Sequence, residues 1–434
     1  MQLDDLNRTL AADAPVLHRA LSPLGRRAIY PHGIPAQAAE ARQADFNGTI
    51  GQITDGRGGA LPLPTLAAAY RFDDAADAHR AFLYAPVDGL PEMRRAWQRW
   101  QRRQAPAGAS VDGASLPITT IGLTHGLSLV ADLFTGPGRT VVSASPFWGN
   151  YRQTFELRTG AELRTAPSYD RDGRFDPRSI GRVLASLPAG EPAVVILNFP
   201  SNPGGYMPDA DERAALRDGL LAAADDRPIV AVCDDAYAGM VFDDAVPAHS
   251  LFWDLLDAHA NLCAIKVDGA TKELAYFGGR VGFLTFGVAS ADAVAALESK
   301  IKSLVRATVG SPCASSQAVM LQLLRDPDRT AREVEIVRST LAARCATLNR
   351  ALADLDPALL RPLPCNAGCF SLIALAPDRG LEAEALRRHL LAHEGTGLVA
   401  IGSDHVRIAF CSVAEGDLPA LVTRMARGAA ALAA

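Results

Sequence analysis

Hydrophobic positions along the chain fall into two patterns that alternate. Ala193-Val-Val-Ile-Leu197 and Pro228-Ile-Val-Ala-Val-Cys233 are continuous apolar runs, each followed by a polar cluster. Runs of this length predict strands covered on both faces. Ile118-Thr-Thr-Ile121 and a short segment around Val141-Val142, ending at Pro146, predict two more strands. A turn at Gly122 to Gly126 leads into a helical run, Leu127–Phe134. Strands alternating with helices predict an α/β region with a mostly parallel sheet. Ligands of such sheets sit beyond the carboxyl ends of the strands. Towards the N-terminus, Leu3 to about Leu21 predicts one helix, followed by a Pro-rich connection, the Gly-rich stretch Asp45–Gly59 and a break at Leu61-Pro-Leu-Pro64. From Ser311 to Leu355 the pattern is long and helical. The tail predicts strands Phe370–Leu375 and Val406–Cys411 around a helix at Ala383–His393, a second, smaller α+β region.

Composition narrows the class without naming an activity. A chain of 434 residues exceeds the size at which one core usually stops growing, about 250–300 residues. With 49% apolar and 21% charged residues, disorder and collagen-like repeats are excluded. A net charge of −5 argues against a nucleic-acid or anionic-membrane partner. Seven scattered cysteines do not make a disulfide framework. The start, MQLDDLNRTL, has no apolar signal core, and no run approaches the roughly 18 apolar residues of a membrane span. These features predict a cytoplasmic protein.

Chemistry concentrates after the predicted strands, in Asn198-Phe-Pro-Ser-Asn202-Pro-Gly-Gly205, Asp234-Asp-Ala-Tyr237 and Gly269-Ala-Thr-Lys272, with Arg280 eight residues on. A lysine amine forms a Schiff base with an aldehyde. A carboxylate keeps a pyridine nitrogen protonated and so makes the ring an electron sink. An arginine holds phosphate bidentately. In this order the motifs resemble the class I/II aminotransferases, pyridoxal-phosphate (PLP) enzymes of fold type I. The likeness runs from Tyr84-x4-Gly89-Leu-Pro-Glu-Met-Arg94 through Thr124-His-Gly126-Leu-Ser128, Pro146-Phe-Trp148-Gly-Asn-Tyr151, Asn202-Pro-Gly-Gly, Asp234-x-Ala-Tyr237 and Lys272/Arg280 to Val406-Arg407-Ile408-Ala409.

The resemblance implies a large domain with a mostly parallel, seven-stranded-type sheet and a small discontinuous α+β domain. The corresponding division is 1–60 and 316–434 for the small domain and 61–315 for the large one. It implies PLP as cofactor, an amino acid and a 2-oxo acid as substrates, and a homodimer with shared sites. Lys272 would form the Schiff base and shuttle the proton, Asp234 would pair with the pyridine nitrogen, and Trp148 would stack on the ring. Asn202 and Tyr237 would bond the ring phenolate. Backbone N–H groups of Gly126 and Leu127, with Arg280, would hold phosphate, and Tyr84 would reach the neighbouring subunit's cofactor phosphate. Arg407 would clamp the substrate carboxylate, with Asn202 and Gly51 also at the substrate.

Two positions depart from the family pattern. Gly269 stands where a phosphate-donating Ser is common, and His125 occupies a phosphate-turn position where a small polar residue or Asn is usual. His125 either replaces the lost donor or stacks near the cofactor. Lys266 is a rival amine and Asp235 a rival carboxylate, both without the family spacing. Trp148-Gly-Asn is similar to the aspartate-aminotransferase subgroup, yet no arginine for a distal carboxylate stands out. The expected reaction is transamination. The alternative is another PLP reaction on the same fold: replacement, racemisation, oxidation or C–C bond formation. A PLP-sensing regulator would need a basic recognition helix, which the residues before Leu61 lack. Cys365-x3-Cys369 followed by His389-x3-His393 echoes a zinc module. Its 19-residue gap, however, holds a strand and a helix, so no metal is expected.

Overall fold

The computed structural model describes residues 2–31, 33–72, 74–376 and 379–433. Its thirteen strands, in chain order, begin with β1 (Phe46–Asn47). There follow β2 (Ile118–Thr120), β3 (Thr140–Ser145), β4 (Glu162–Pro167), β5 (Ala193–Leu197), β6 (Ile229–Asp234), β7 (Leu262–Gly269) and β8 (Gly282–Phe286). These seven form one sheet in the order β2-β8-β7-β6-β5-β3-β4. Neighbours from β7 to β4 pair in parallel, and β8 is antiparallel to both β7 and β2. Every residue of β5 and β8 is buried, which is why their sequences carry no polar alternation.

The remaining strands are β9 (Leu360–Pro362), β10 (Ser371–Leu375), β11 (Thr396–Gly397), β12 (Val399–Ile401) and β13 (His405–Ile408). An antiparallel sheet has the order β12-β13-β10-β9. β11 pairs in parallel with β1, so the N-terminal segment joins the C-terminal region.

Local chemistry moved several predicted boundaries. The single N-terminal helix is instead two, Leu3–Asp13 and Pro15–Ala20, and a third, Pro23–Arg27, stands in the expected Pro-rich connection. Each break falls where a proline takes the first helical position, which ends the preceding helix. The long C-terminal helical pattern divides into Ala314–Leu324 and Pro327–Leu352, the second capped by the Asp326 carboxylate. The predicted strand Val406–Cys411 ends at Ile408 and passes into a 3-10 turn. The predicted turn at Gly122–Gly126 is itself helical, because the helix runs from Gly122 to Phe134.

Candidate active site

The ends of five strands of the large sheet meet at one edge. A cavity of about 220 Å³ there is lined by Lys272, Asp234, Tyr237, Trp148, Asn202, Arg280 and Arg407. Gly51 also lines it. With Thr124, which also lines it, residues from six of the sequence motifs meet in this cavity.

Asp234 ends β6 and is 2% exposed. The Tyr151 hydroxyl donates to its Oδ2 at 2.6 Å, and its Oδ1 is buried without a partner. Burial pushes this carboxyl up to about 6, while the Tyr151 hydrogen bond and the nearby Lys272 amine pull it down. A buried acceptor without a donor is costly, and a protonated ring nitrogen would satisfy it. Lys272 sits on the single helical turn Ala270–Glu273, with Nζ 4.9 Å from the centre of the Tyr237 ring. Burial lowers its amine below the ordinary lysine value, against the pull of Asp234. The rivals fall away on the same grounds. Lys266, in β7, forms a buried ion pair with Asp235, and Asp235 also accepts from Ser250 at 2.6 Å.

The helix expected to hold the phosphate begins earlier than the sequence pattern predicts. Because the helix begins at Gly122, its free N–H groups belong to Gly122, Leu123 and Thr124. Leu123 and Thr124 line the cavity. Gly126 and Leu127 lie a turn deeper, where N–H groups are spent on the helix's own carbonyls, and Gly126 serves instead to let Val267 pack closely. Gly122 has φ +71°, and a Cβ there would come within 2.6 Å of Arg280 Nη2. Only glycine lets the guanidinium approach the helix N-terminus this closely. His125 does not line the cavity. Its Nδ1 accepts from the Ile121 N–H at 3.1 Å, and Nε2 lies 3.3 Å from Thr308 Oγ1. Burial holds its ring below the ordinary histidine value, which suits an accepting nitrogen. It caps its own helix. At Gly269 a Cβ would meet the Val281 carbonyl oxygen at 2.5 Å, so the β7–β8 contact excludes a serine. Thr271 lines the same cavity with a buried Oγ1 that has no partner.

At the substrate end, Arg407 is 1% exposed and lies over the Phe370 ring, 4.0 Å from its centre. Nη1 donates to Asn202 Oδ1 at 3.1 Å and Nη2 to the Thr49 carbonyl at 2.6 Å, while Nε is buried without a partner. Burial pulls this guanidinium down to about 10, with no carboxylate beside it. Asn198 ties the floor together, donating to the Asp234 carbonyl and accepting from the Asn202 N–H at 2.9 and 2.8 Å. Trp148 packs edge-on to Tyr151, with ring centres 5.7 Å apart. Tyr84 is not part of this cavity and is 96% exposed.

Tyr151, Thr271 and Thr124 lie inside sequence motifs that gave them no role of their own, and Leu123 lies outside them. Tyr151 lay inside a quoted motif, but nothing local in that motif pairs it with a carboxylate 83 residues away.

Residues 49–425 match the family model for aminotransferase class I and II. The chain belongs to this family. An aspartate/prephenate aminotransferase of Thermus thermophilus is 24% identical over 356 residues, 79% of this chain and 82% of that protein. The fold is shared with an aminotransferase from Anaerococcus prevotii (TM-score 0.81, 19% identity, 94% of this chain and 99% of the other). It is also shared with Thermus thermophilus aspartate aminotransferase solved with maleate (TM-score 0.76, 22% identity, 94% and 100%). Class I and II aminotransferases transfer amino groups between amino acids and 2-oxo acids with PLP, and this chain is an enzyme of that kind. The cavity fits the cofactor: the buried, unpartnered Asp234 Oδ1 would accept from its protonated ring nitrogen, Lys272 would supply the amine, and Arg280 beside a helix N-terminus would supply the anion site.

Proposed function

We propose that this aminotransferase works through Lys272 as both the covalent anchor of the cofactor and the base that moves a proton from the substrate Cα. The observation that carries this reading is the pair of unmet buried groups, Asp234 Oδ1 and Arg407 Nε, on two residues that line one cavity with Lys272. When bound, PLP supplies an electron sink that stabilises negative charge at Cα. Asp234 keeps the pyridine nitrogen protonated, and Tyr151 holds the carboxylate's other oxygen in place. Asn202 and Tyr237 orient the ring oxygen, and Trp148 covers the ring face. The N–H groups of Leu123 and Thr124, with Arg280 and Thr271, hold the phosphate. Arg407 binds the substrate carboxylate bidentately and so aligns Cα–H with the Lys272 amine. The depressed amine of Lys272 suits a group that must be a neutral base for part of each cycle.

Two coarser expectations extend this reading. The exposed run Phe82-Leu83-Tyr84 supports a homodimer in which Tyr84 serves the partner's cofactor. Pairing of β1 with β11 supports one small domain assembled from residues 1–60 and 316–434 around the larger 61–315 unit. Among the described residues no helix is long and apolar enough to cross a membrane. The seven unpaired cysteines support a reducing, cytoplasmic setting.

The test is a panel of amino acids mixed one by one with the holoenzyme. The expected result is loss of the lysine-bound cofactor's visible absorption, with recovery of the aminated cofactor, for at least one of them. Conversion of an amino acid without amination of the cofactor would move the chain to another reaction of the same cofactor.

A further inference from the structure

The turn that carries Lys272 is held from behind by a polar ladder outside the cofactor cavity. On the helix Pro91–Arg103 and its C-cap, Trp97 and Gln101 form one i,i+4 pair and Trp100 and Gln104 another. Each pair converges on one carboxylate. Trp97 Nε1 donates to Asp268 Oδ1 at 3.0 Å, and Gln101 Nε2 donates to both Asp268 oxygens at 3.1 and 2.9 Å. Trp100 Nε1 donates to Glu273 Oε1 at 2.6 Å, and Gln104 Nε2 donates to the same oxygen. Asp268 and Glu273 bracket Gly269-Ala-Thr-Lys272, so both ends of the lysine turn are gripped by one helix.

The arrangement is expensive. Asp268 and Glu273 are 1% and 2% exposed, and Lys266, 3.5 Å from Asp268, is the cation beside them. Buried carboxyl groups of this kind are seldom more stable than a well-packed apolar core. The turn, on the other hand, needs an external hold. Its helix is four residues long, too short to persist alone. Ala275, just after it, is in the left-handed region at φ +49°, which a non-glycine residue adopts only when its surroundings impose it.

We propose that Glu273, gripped by Trp100 and Gln104, is a positioning residue that aims the Lys272 amine into the cavity. The proposal rests on the reading of Lys272 as the cofactor lysine. Glu273 does not line the cavity, and it acts by fixing the backbone on which Lys272 is the preceding residue.

The test compares Glu273→Leu, Trp100→Phe, Gln104→Leu and the conservative Glu273→Gln. In the apoprotein, an amine-reactive label is titrated against pH and the Lys272 peptide is read by mass spectrometry. A loosened turn lets water reach the amine, so Glu273→Leu should move the half-labelling pH upward, towards that of an ordinary lysine. Trp100→Phe and Gln104→Leu should give smaller shifts, and Glu273→Gln, which keeps an accepting oxygen, should match the parent. In the holoenzyme, Glu273→Leu should lower kcat about tenfold or more with KM within about twofold, because misaimed reacting groups cost rate rather than binding. A folded Glu273→Leu with parental labelling and kcat overturns the proposal. So does a loss of kcat that only follows a loss of folded protein. Should Glu273→Leu not fold, Trp100→Phe and Gln104→Leu decide by the same two readouts. Lys272→Ala separates the two levels: retained visible absorption there would remove the underlying reading, whereas its loss beside a silent Glu273→Leu would remove the positioning role alone.

Discussion

Asp234 is charged at a cost, and its surroundings show how the cost is contained. One oxygen is met by Tyr151 and the other is buried without a partner. Tyr151 stays protonated, since burial and the neighbouring Asp234 raise its phenol well above the ordinary value. It is therefore a permanent donor. Tyr151→Phe should remove a hydrogen bond to a charged group, typically about 1.5–3 kcal/mol. The carboxyl of Asp234 should then titrate higher than about 6, and kcat/KM should fall by about tenfold or more at neutral pH. Unchanged pH dependence of cofactor binding in Tyr151→Phe would show that Asp234 does not need the phenol. Lys272→Ala, in contrast, should abolish the visible absorption of lysine-bound cofactor and all turnover. Retained absorption would transfer the role to another amine. Lys272 and Asp234 were legible because local punctuation marks them: each follows an apolar run and precedes a motif at fixed spacing. Tyr151 was not, because its meaning comes from a contact between β6 and the segment after β3 that no local pattern encodes.

Elements carry the next level of control. The helix beginning at Gly122 was read as starting later, since Gly122, Thr124 and Gly126 look like turn residues by propensity alone. Packing of this helix on β7 and β8 outweighs that propensity, and the cavity-lining residues at the helix start are Leu123 and Thr124 rather than Gly126 and Leu127. Strand β7 and its turn carry a pH signature. Burial pushes Glu273 up to about 7 from an ordinary 4.5; Asp268 adds to the rise, and Trp100, Gln104 and Lys266 oppose it. The folded protein therefore holds a proton that the unfolded chain has already released between those values. Stability should fall as pH rises through that window and level off above it, by on the order of 3 kcal/mol from this group. Glu273→Gln should remove this part of the decline. Denaturation midpoints of parent and variant, measured on apoprotein at mildly acidic and mildly alkaline pH, check it. Equal slopes in the two proteins would mean that Glu273 is ionised throughout.

At the scale of the whole molecule, the large sheet was readable because its strands are continuous apolar runs. The assembly of the smaller region was expected only through the family resemblance and not from pattern, since β1 is two residues long and its partner β11 lies some 350 residues further on. No periodicity survives in a pairing so short. The surface leaves a comparable question at Phe82, Leu83 and Tyr84, which are 88%, 55% and 96% exposed. Burying a large apolar side chain is worth about 1.5–3 kcal/mol, so three adjacent ones would give a proposed second copy of the chain a strong anchor. Tyr84 lies outside the cavity of its own chain, and a role at the phosphate therefore requires the partner's site. Light scattering should give about twice the 45.9 kDa of one chain. Phe82→Asp should shift the protein towards monomer and lower activity together with the dimer fraction. Tyr84→Phe should leave the dimer intact while weakening cofactor retention, because only a phosphate contact is lost. A strictly monomeric protein with full turnover would remove Tyr84 from the site. A dimer whose cofactor affinity ignores Tyr84→Phe would leave the run as an interface without a catalytic contact.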